Sequence, residues 1–352
     1  MPDQPDEQDK AQPEQPPQSK PITDRDLMGI NFTMNIEPYP HPQPPAGPSV
    51  SGVYPPAGEE EETGRVSKEL SLPEAIERFV PDGVESLAIG GMHMQNNPMA
   101  LIRELVRQKK HIRRLITSPA GCINADLLIA AGLVEEVVTP YIGFEFLGLA
   151  PAFRRFAQQG RLKVYEIDEL TLVLALRAGA ASLPFAALPP GLELSDVVRA
   201  NPAFYHTITD PFTGQEKLVT PALRPEVALV YASQADKQGN AVYKGAAFTD
   251  REMIMAARTV VLQVEQVLSS AMLTRNPQQV TVAGSMVDAV VEAPFGCHPT
   301  ASHRFYHYDE DHLKEYIQAA ATDEGISQYI EKYITNSADE TEYLSKTEIA
   351  QG

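Results

Sequence analysis

Between residues 71 and 343 the spacing of apolar positions keeps switching between short continuous runs and a helical period. Ser71-Leu-Pro-Glu74 has the spacing of a capping box, and Ala75, Ile76 and Phe79 give the following helix an apolar face. The run Ser86 to Ile89 reads as a strand ending in Gly90-Gly91. A helix is predicted from Pro98 to Lys109, with Asn97 as its cap and Pro98 at its first position. Ile112 to Thr117 is the next strand. A loop, Ser118 to Asn124, follows, and Asn124 caps a short helix from Ala125 to Ala131, closed by Gly132. Strands at Val134 to Thr139 and Leu162 to Ile167 alternate with helices at Ala150 to Gln159 and Glu169 to Ala181. Such βα alternation predicts an α/β fold: an open, mostly parallel sheet with helices on both faces.

The pattern then loosens. Leu183 to Val219 is rich in Pro and Gly and reads as loops with short strands. Val227 to Ala232 is a buried strand, and Asp236-Lys-Gln-Gly-Asn240 is a polar turn suited to a hairpin. A helix at Asp250 to Ala257 and strands at Thr259 to Val264, Val280 to Ala283 and Val287 to Glu292 follow. From Glu310 to about Tyr343 the period is helical.

Composition changes the picture at the amino end. Residues 1–66 hold fourteen of the chain's 30 prolines, with Gln, Asp and Glu filling much of the rest. That composition predicts a disordered or extended segment. Within it, Leu27 to Ile36 is apolar enough to lie across a partner surface. The expected organisation is therefore an extension over 1–66, a folded domain over 67–335 and a tail over 336–352. The net charge of −18 opposes a nucleic-acid partner, which calls for a basic face. No stretch reaches the roughly 18 apolar residues of a membrane helix. Two cysteines, Cys122 and Cys297, make no disulfide framework, and a cytoplasmic location is expected.

Several constellations could carry chemistry. The glycine pair at a strand exit collects backbone N–H groups at a helix start and suits an anionic or polarised oxygen; it equally suits a plain tight turn. His298, His303, His307 and His312 fall within a short window, with His303 and His307 spaced to share a helix face, but no metal is expected from them. Cys122 precedes a helix and is either a reactive thiol or a small core residue. Arg103, Arg107, Lys109, Lys110, Arg113 and Arg114 either meet phosphates or form a solvated face. Glu145, set among aromatic neighbours in Tyr141-Ile-Gly-Phe-Glu-Phe146, serves as an acid or base if buried, or else as a structural acceptor.

Gly90-Gly91 with Asn97-Pro-Met-Ala100, then Ser118-Pro-Ala-Gly121 and Asp126-Leu-Leu-Ile129, resemble the A (α) chain type of family I coenzyme A transferases. Val287-Asp-Ala-Val-Val-Glu-Ala-Pro-Phe-Gly-Cys-His-Pro299, followed by Tyr306-His-Tyr-Asp309, is similar to the glutaconate CoA-transferase branch. The resemblance implies an α subunit paired with a B (β) subunit, often as an α2β2 heterotetramer. In such enzymes the acyl-CoA thioester is attacked by a glutamate of the β chain; its motif, Ser-Glu-Asn-Gly, does not occur in these residues. Catalysis by a nucleophile of this chain is therefore not implied, with Glu145 the one weak candidate. Backbone groups of Gly90, Gly91 and Met92 and side chains of Gln95, Asn96 and Ser118 are the implied substrate contacts. The coenzyme A thioester is implied as substrate, with no tightly held cofactor. The chain departs from the family pattern at Met92 and Asn96, which with His93 marks the place to look for its own specificity. Other relatives hydrolyse a C–C bond of a cyclic CoA thioester or decarboxylate a glutaconyl-type ester. The same superfamily includes sugar-phosphate-binding modules.

Overall fold

A computed structural model describes residues 66–347. The extension and its Leu27–Ile36 segment lie outside the described residues. The main sheet contains β1 (Leu87–Ile89), β2 (Ile112–Thr117), β3 (Val134–Thr139), β4 (Lys163–Glu166), β8 (Val227–Asp236), β10 (Thr259–Leu268) and β11 (Ala289–Glu292). They lie in the order β11-β10-β8-β1-β2-β3-β4, each parallel to its neighbours on this path. The expected open parallel sheet is what forms. Strands β5 (Phe185–Ala187), β6 (His206–Thr209) and β7 (Glu216–Pro221) make a separate antiparallel sheet out of the loosely patterned segment. The polar turn at 236–240 does close a hairpin, with β9 (Ala241–Val242) antiparallel to β8. Gly239 takes a positive φ there, and the Asp236 carboxylate accepts from the backbone N–H groups of Gln238 and Asn240.

Successive strand residues point to opposite faces, and two cores result. Leu87, Ile89, Leu115 and Val137 pack under the helices Leu72–Phe79, Met99–Arg107, Ile123–Ala130 and Pro151–Gln158. Ala88, Ile116, Val138 and Val230 pack under Glu169–Ala180 and Asp250–Ala256. Burial on both faces explains why these strands read as apolar runs without alternation.

Several local expectations are corrected. Ser71 stands at the helix N-cap, but its side chain makes no capping bond. Asn97 does not cap its helix either. The first helical residue is Met99, and the N–H groups of Ala100 and Leu101 donate to Oε1 of the buried Gln263, at 3.1 and 3.3 Å. Asn124 lies inside its helix, which starts at Ile123. Val280–Ala283 forms no strand: one bridge, Ala241 to Val282, is flanked by 3-10 turns. The segment expected as a tail carries the helix Glu340–Ser345, whose Tyr343 is buried, so the fold runs on past residue 335.

Candidate functional site

The chain enters the sheet at β1, walks outward to β4, then returns to the other side of β1 and walks outward again through β8, β10 and β11. The order therefore reverses between β1 and β8. In open parallel sheets that reversal leaves a crevice outside the carboxyl ends of the strands, where ligands bind. Gly90 is the first residue beyond β1. Strands β8 and β10 run on well past it, since Leu229 of β8 pairs with Ile89, the last residue of β1. They form a wall beside the glycine loop.

The loop itself is tightly braced. Gly90 donates to Leu229 O (2.9 Å), and Gly91 donates to the Asp250 carboxylate (3.1 Å to Oδ1). Met92 and Gln95 exchange backbone bonds of 2.9 and 3.0 Å around a turn in which His93 has φ 52°. A Cβ on Gly90 would sit 2.7 Å from Asp250 Oδ1, and Gly91 combines φ 97° with direct contact against Asn97. Only glycine fits either position. The Asn124 amide, inside its helix, donates to Gly90 O at 3.0 Å. His93 N donates to Ala120 O, and Gly121 and Tyr141 are linked in turn, so the loops after β1, β2 and β3 are stitched together.

Of the implied contacts, Gly90, Gly91, Met92, Gln95 and Asn96 share this loop. Ser118 lies beside it, because Ile89 pairs with Thr117. Their roles are not equivalent. The N–H groups of Gly90, Gly91 and Met92 are all engaged within the chain. Asn96 is buried and uses its whole amide: Nδ2 donates to Lys244 O and Ala246 O (3.4 and 3.3 Å), and Oδ1 accepts from His303 N (3.2 Å). Gln95 is exposed. Ser118 is 1% exposed, yet its hydroxyl has no partner. Asn97 Oδ1 and Thr249 Oγ1 share that condition, and His93 Nδ1 makes no aligned hydrogen bond although the Glu145 carboxylate lies against it. Setting His93 aside, three of the five remaining unpartnered buried side-chain atoms among the described residues lie on the glycine loop or the segments packed around it. Buried polar atoms are otherwise paired almost without exception, so this concentration marks a place prepared for a ligand.

Glu145 is not buried; it stands at the rim, 38% exposed, and its carboxylate contacts His93 Nδ1 without hydrogen-bond alignment. The premise for a desolvated acid at this position fails. Asp250, which composition gave no reason to single out from other helix-start acids, is buried beneath the loop. Desolvation pushes its carboxyl up to about 7 despite the Gly91 N–H and the Tyr243 hydroxyl directed at it.

The remaining candidates turn out structural. Cys122 and Cys297 are both free and buried, and burial raises both thiols. Arg103 is not on a solvated face: it is buried and paired with Glu340, with its guanidinium 3.8 Å over the Tyr343 ring. Arg107, Arg113 and Arg114 pair with Glu340, Glu85 and Glu136. His303 lies in a turn and His307 in irregular chain, so they share no helix face. His298, Asp309 and His312 do converge, with candidate ligand atoms within 4.8 Å of one another. Both nitrogens of His298 are already met, by Tyr343 OH (2.7 Å) and Asp309 (3.0 Å), and His312 Nε2 meets Tyr329 OH. Burial drives His312 down to about 3, so this cluster is neutral imidazoles in an aromatic core. Two cavities of about 520 and 650 Å³ lie elsewhere, one lined by Ser86, Arg114 and Arg224, the other by Arg251, Met255 and Met286.

A glycine loop at the switch point of a doubly wound sheet defines a class of small-ligand-binding α/β proteins. Within that class, residues 70–293 match the model of the coenzyme A transferase family, and the chain belongs to it. It is 34% identical over 281 residues to an uncharacterised protein of Archaeoglobus fulgidus, covering 79% of this chain and 61% of that one. It is 28% identical to the A-type subunit of glutaconate CoA-transferase from Acidaminococcus fermentans (80% and 92% covered). It is 33% identical to the cholesterol ring-cleaving hydrolase IpdA subunit of Rhodococcus jostii (78% and 94%). Among solved structures, the A. fermentans glutaconate CoA-transferase superposes with TM-score 0.73 at 27% identity (80% and 92%). The decarboxylase AibA/AibB superposes with TM-score 0.66 at 31% identity (75% and 99%). The family expected from the motifs is the one found, and a glutaconate CoA-transferase subunit is among the relatives.

Proposed function

We propose that this chain is the α subunit of a two-component acyl-CoA:carboxylate CoA-transferase acting on a small mono- or dicarboxylic acyl-CoA, assembled with its B (β) subunit as α2β2. The observation that carries the reading is the set of unpartnered buried polar atoms, Ser118 Oγ foremost, gathered at the glycine loop of a chain in this family. The nucleophile is a glutamate of the partner. Its carboxylate attacks the thioester carbon and the CoA thiolate leaves, giving an acyl anhydride; the thiolate returns to give a glutamyl-CoA thioester and free carboxylate. Neither step moves a proton, so this chain need supply no acid or base. Its part is to close the site, with the braced loop fixing the acyl group and the Ser118 hydroxyl directed at the carbonyl oxygen. Coenzyme A enters as substrate and leaves as product. The exposed Phe146, in the 3-10 turn Glu145–Leu147 after β3, and Phe248, Phe295 and Phe305, on the loops after β9 and β11, support a partner seated over this face. No described helix is long and apolar enough to cross a membrane, and both cysteines are free, which accords with a cytoplasmic enzyme.

The purified chain alone should transfer no CoA. Once the β subunit is present with an acyl-CoA, borohydride should trap a glutamyl-CoA thioester on the β chain. Transfer by the isolated chain would end the two-component reading.

A second reading has its own observation. Hydrolysis of a C–C bond and decarboxylation both need a proton moved, and the His93–Glu145 pair at the rim is suited to moving one. Turnover without any trapped thioester, and with a strong loss in His93→Gln, would favour it.

A further inference from the structure

The glycine loop has two unlike flanks. On the β2 side lie Ser118 and the His93–Glu145 pair. On the β8 and β11 side lie two loops held together through Asn96: one carries Lys244, the other Arg304. Their approach is close, since a Cβ on Gly245 would fall 2.8 Å from His303 Cβ. Lys244 is half-buried, anchored by its N–H on Ser233 Oγ (2.8 Å), and its ammonium lies 5.2 Å over the Phe305 ring. Arg304 is exposed and holds φ 69°. Among the described residues, neither cation has an ion-pair partner. Burial, and then the like charge of Arg304, hold the lysine below its usual range, and no carboxylate offsets them. Other cations among the described residues, Lys109 and Lys110 included, also lack an ion-pair partner; Lys244 and Arg304 differ from them in lying beside the glycine loop, on segments that Asn96 ties to it.

Resting on the transferase reading, we propose that Lys244 and Arg304 form the subsite that binds the distal carboxylate of a dicarboxylic acyl group. Two neighbouring cations favour a group with two anionic oxygens. Coenzyme A also offers phosphates, but the pantetheine arm holds those many bonds from the thioester. The second carboxylate of a short acyl chain lies within a few bonds of it, and Asn96 ties this pair to the very loop that meets the thioester. The substrate therefore lies across the loop, its thioester toward Ser118 and its free carboxylate toward Lys244.

The experiment uses the complex with the β subunit. It compares glutaryl-CoA with valeryl-CoA, which has the same chain length and one charge fewer. Lys244→Met with Arg304→Gln should weaken glutaryl-CoA binding by roughly tenfold or more, read by calorimetry. The glutaryl-to-valeryl ratio of kcat/KM should fall by a similar factor, through KM more than kcat. The same loss should persist with glutaryl-pantetheine. Equal losses for both acyl groups would overturn the proposal, as would a loss that vanishes once the phosphates are removed. A double variant that only fails to assemble, with its ratio unchanged in the residual complex, would assign the cations to the α–β interface and likewise overturn it. Because binding is read directly, absence of transfer in the wild-type complex would refute the transferase reading without deciding this one.

Discussion

Gly91 and Ser118 illustrate two kinds of constraint on a residue in this site. Gly91 is fixed by geometry: φ 97° and the contact with Asn97 leave no room for a side chain. Gly91→Ala should cost about 3 kcal/mol or more in denaturant unfolding, because strain and overlap add. Ser118 is fixed by chemistry. Removing a buried hydroxyl that has no partner should leave stability within about 1 kcal/mol of the parent, or raise it. The same Ser118→Ala change should lower CoA transfer by the assembled enzyme by roughly 100-fold, if the hydroxyl meets the carbonyl oxygen. A calorimetric melt beside a kcat measurement separates these outcomes. Asn96 shows how residue type misleads when read alone. Its amide suits a substrate contact, but every polar atom is spent bracing Lys244, Ala246 and His303.

At the scale of elements, the helix Met99–Arg107 is capped by Gln263, 163 residues away in sequence. No local pattern could announce that cap; β10 brings it there. Asp250 likewise opens the helix Asp250–Ala256 and reads as an ordinary first-turn acid. Only folding places it under Gly91. Its carboxyl titrates near 7 in the folded chain and near 4 unfolded. The folded state therefore binds the extra proton between those values. Stability that is full below about pH 4 is lost as pH rises through about 7. Asp126 and Glu265, pushed up by burial to about 6 and about 7, act in the same sense, so the measurement must be a difference. Asp250→Asn keeps an oxygen for the Gly91 N–H and cannot ionise. Unfolding free energies from pH 4 to 8 should fall less steeply for this variant than for the wild type; parallel curves would remove Asp250 from the account.

Across the whole molecule, the helix Glu340–Ser345 is tied to the core through Glu340, held by Arg107 and by the buried Arg103. Arg103 pairs with Glu340, donates to His298 O at 2.6 Å and stacks on Tyr343. Arg103→Ala should cost about 3–5 kcal/mol, since Glu340 keeps only Arg107 as a partner and His298 O and the aromatic cluster lose theirs. A chain ending before Glu340 should show a comparable fall in melting temperature.

The sequence by itself determined the alternation of strand and helix, the parallel sheet, the glycine exit of β1 and the family, because these rest on local periodicity and on short motifs. Contacts between distant segments were decided only by the tertiary structure. The fold stacks carboxyl-end loops from both halves of the sheet around Gly90-Gly91. That placement buries Asp250, spends the amide of Asn96, leaves Ser118 without a partner and sets Lys244 beside Arg304. Burial and pairing are properties of neighbours in space, and a linear pattern carries them only where those neighbours are a few residues apart.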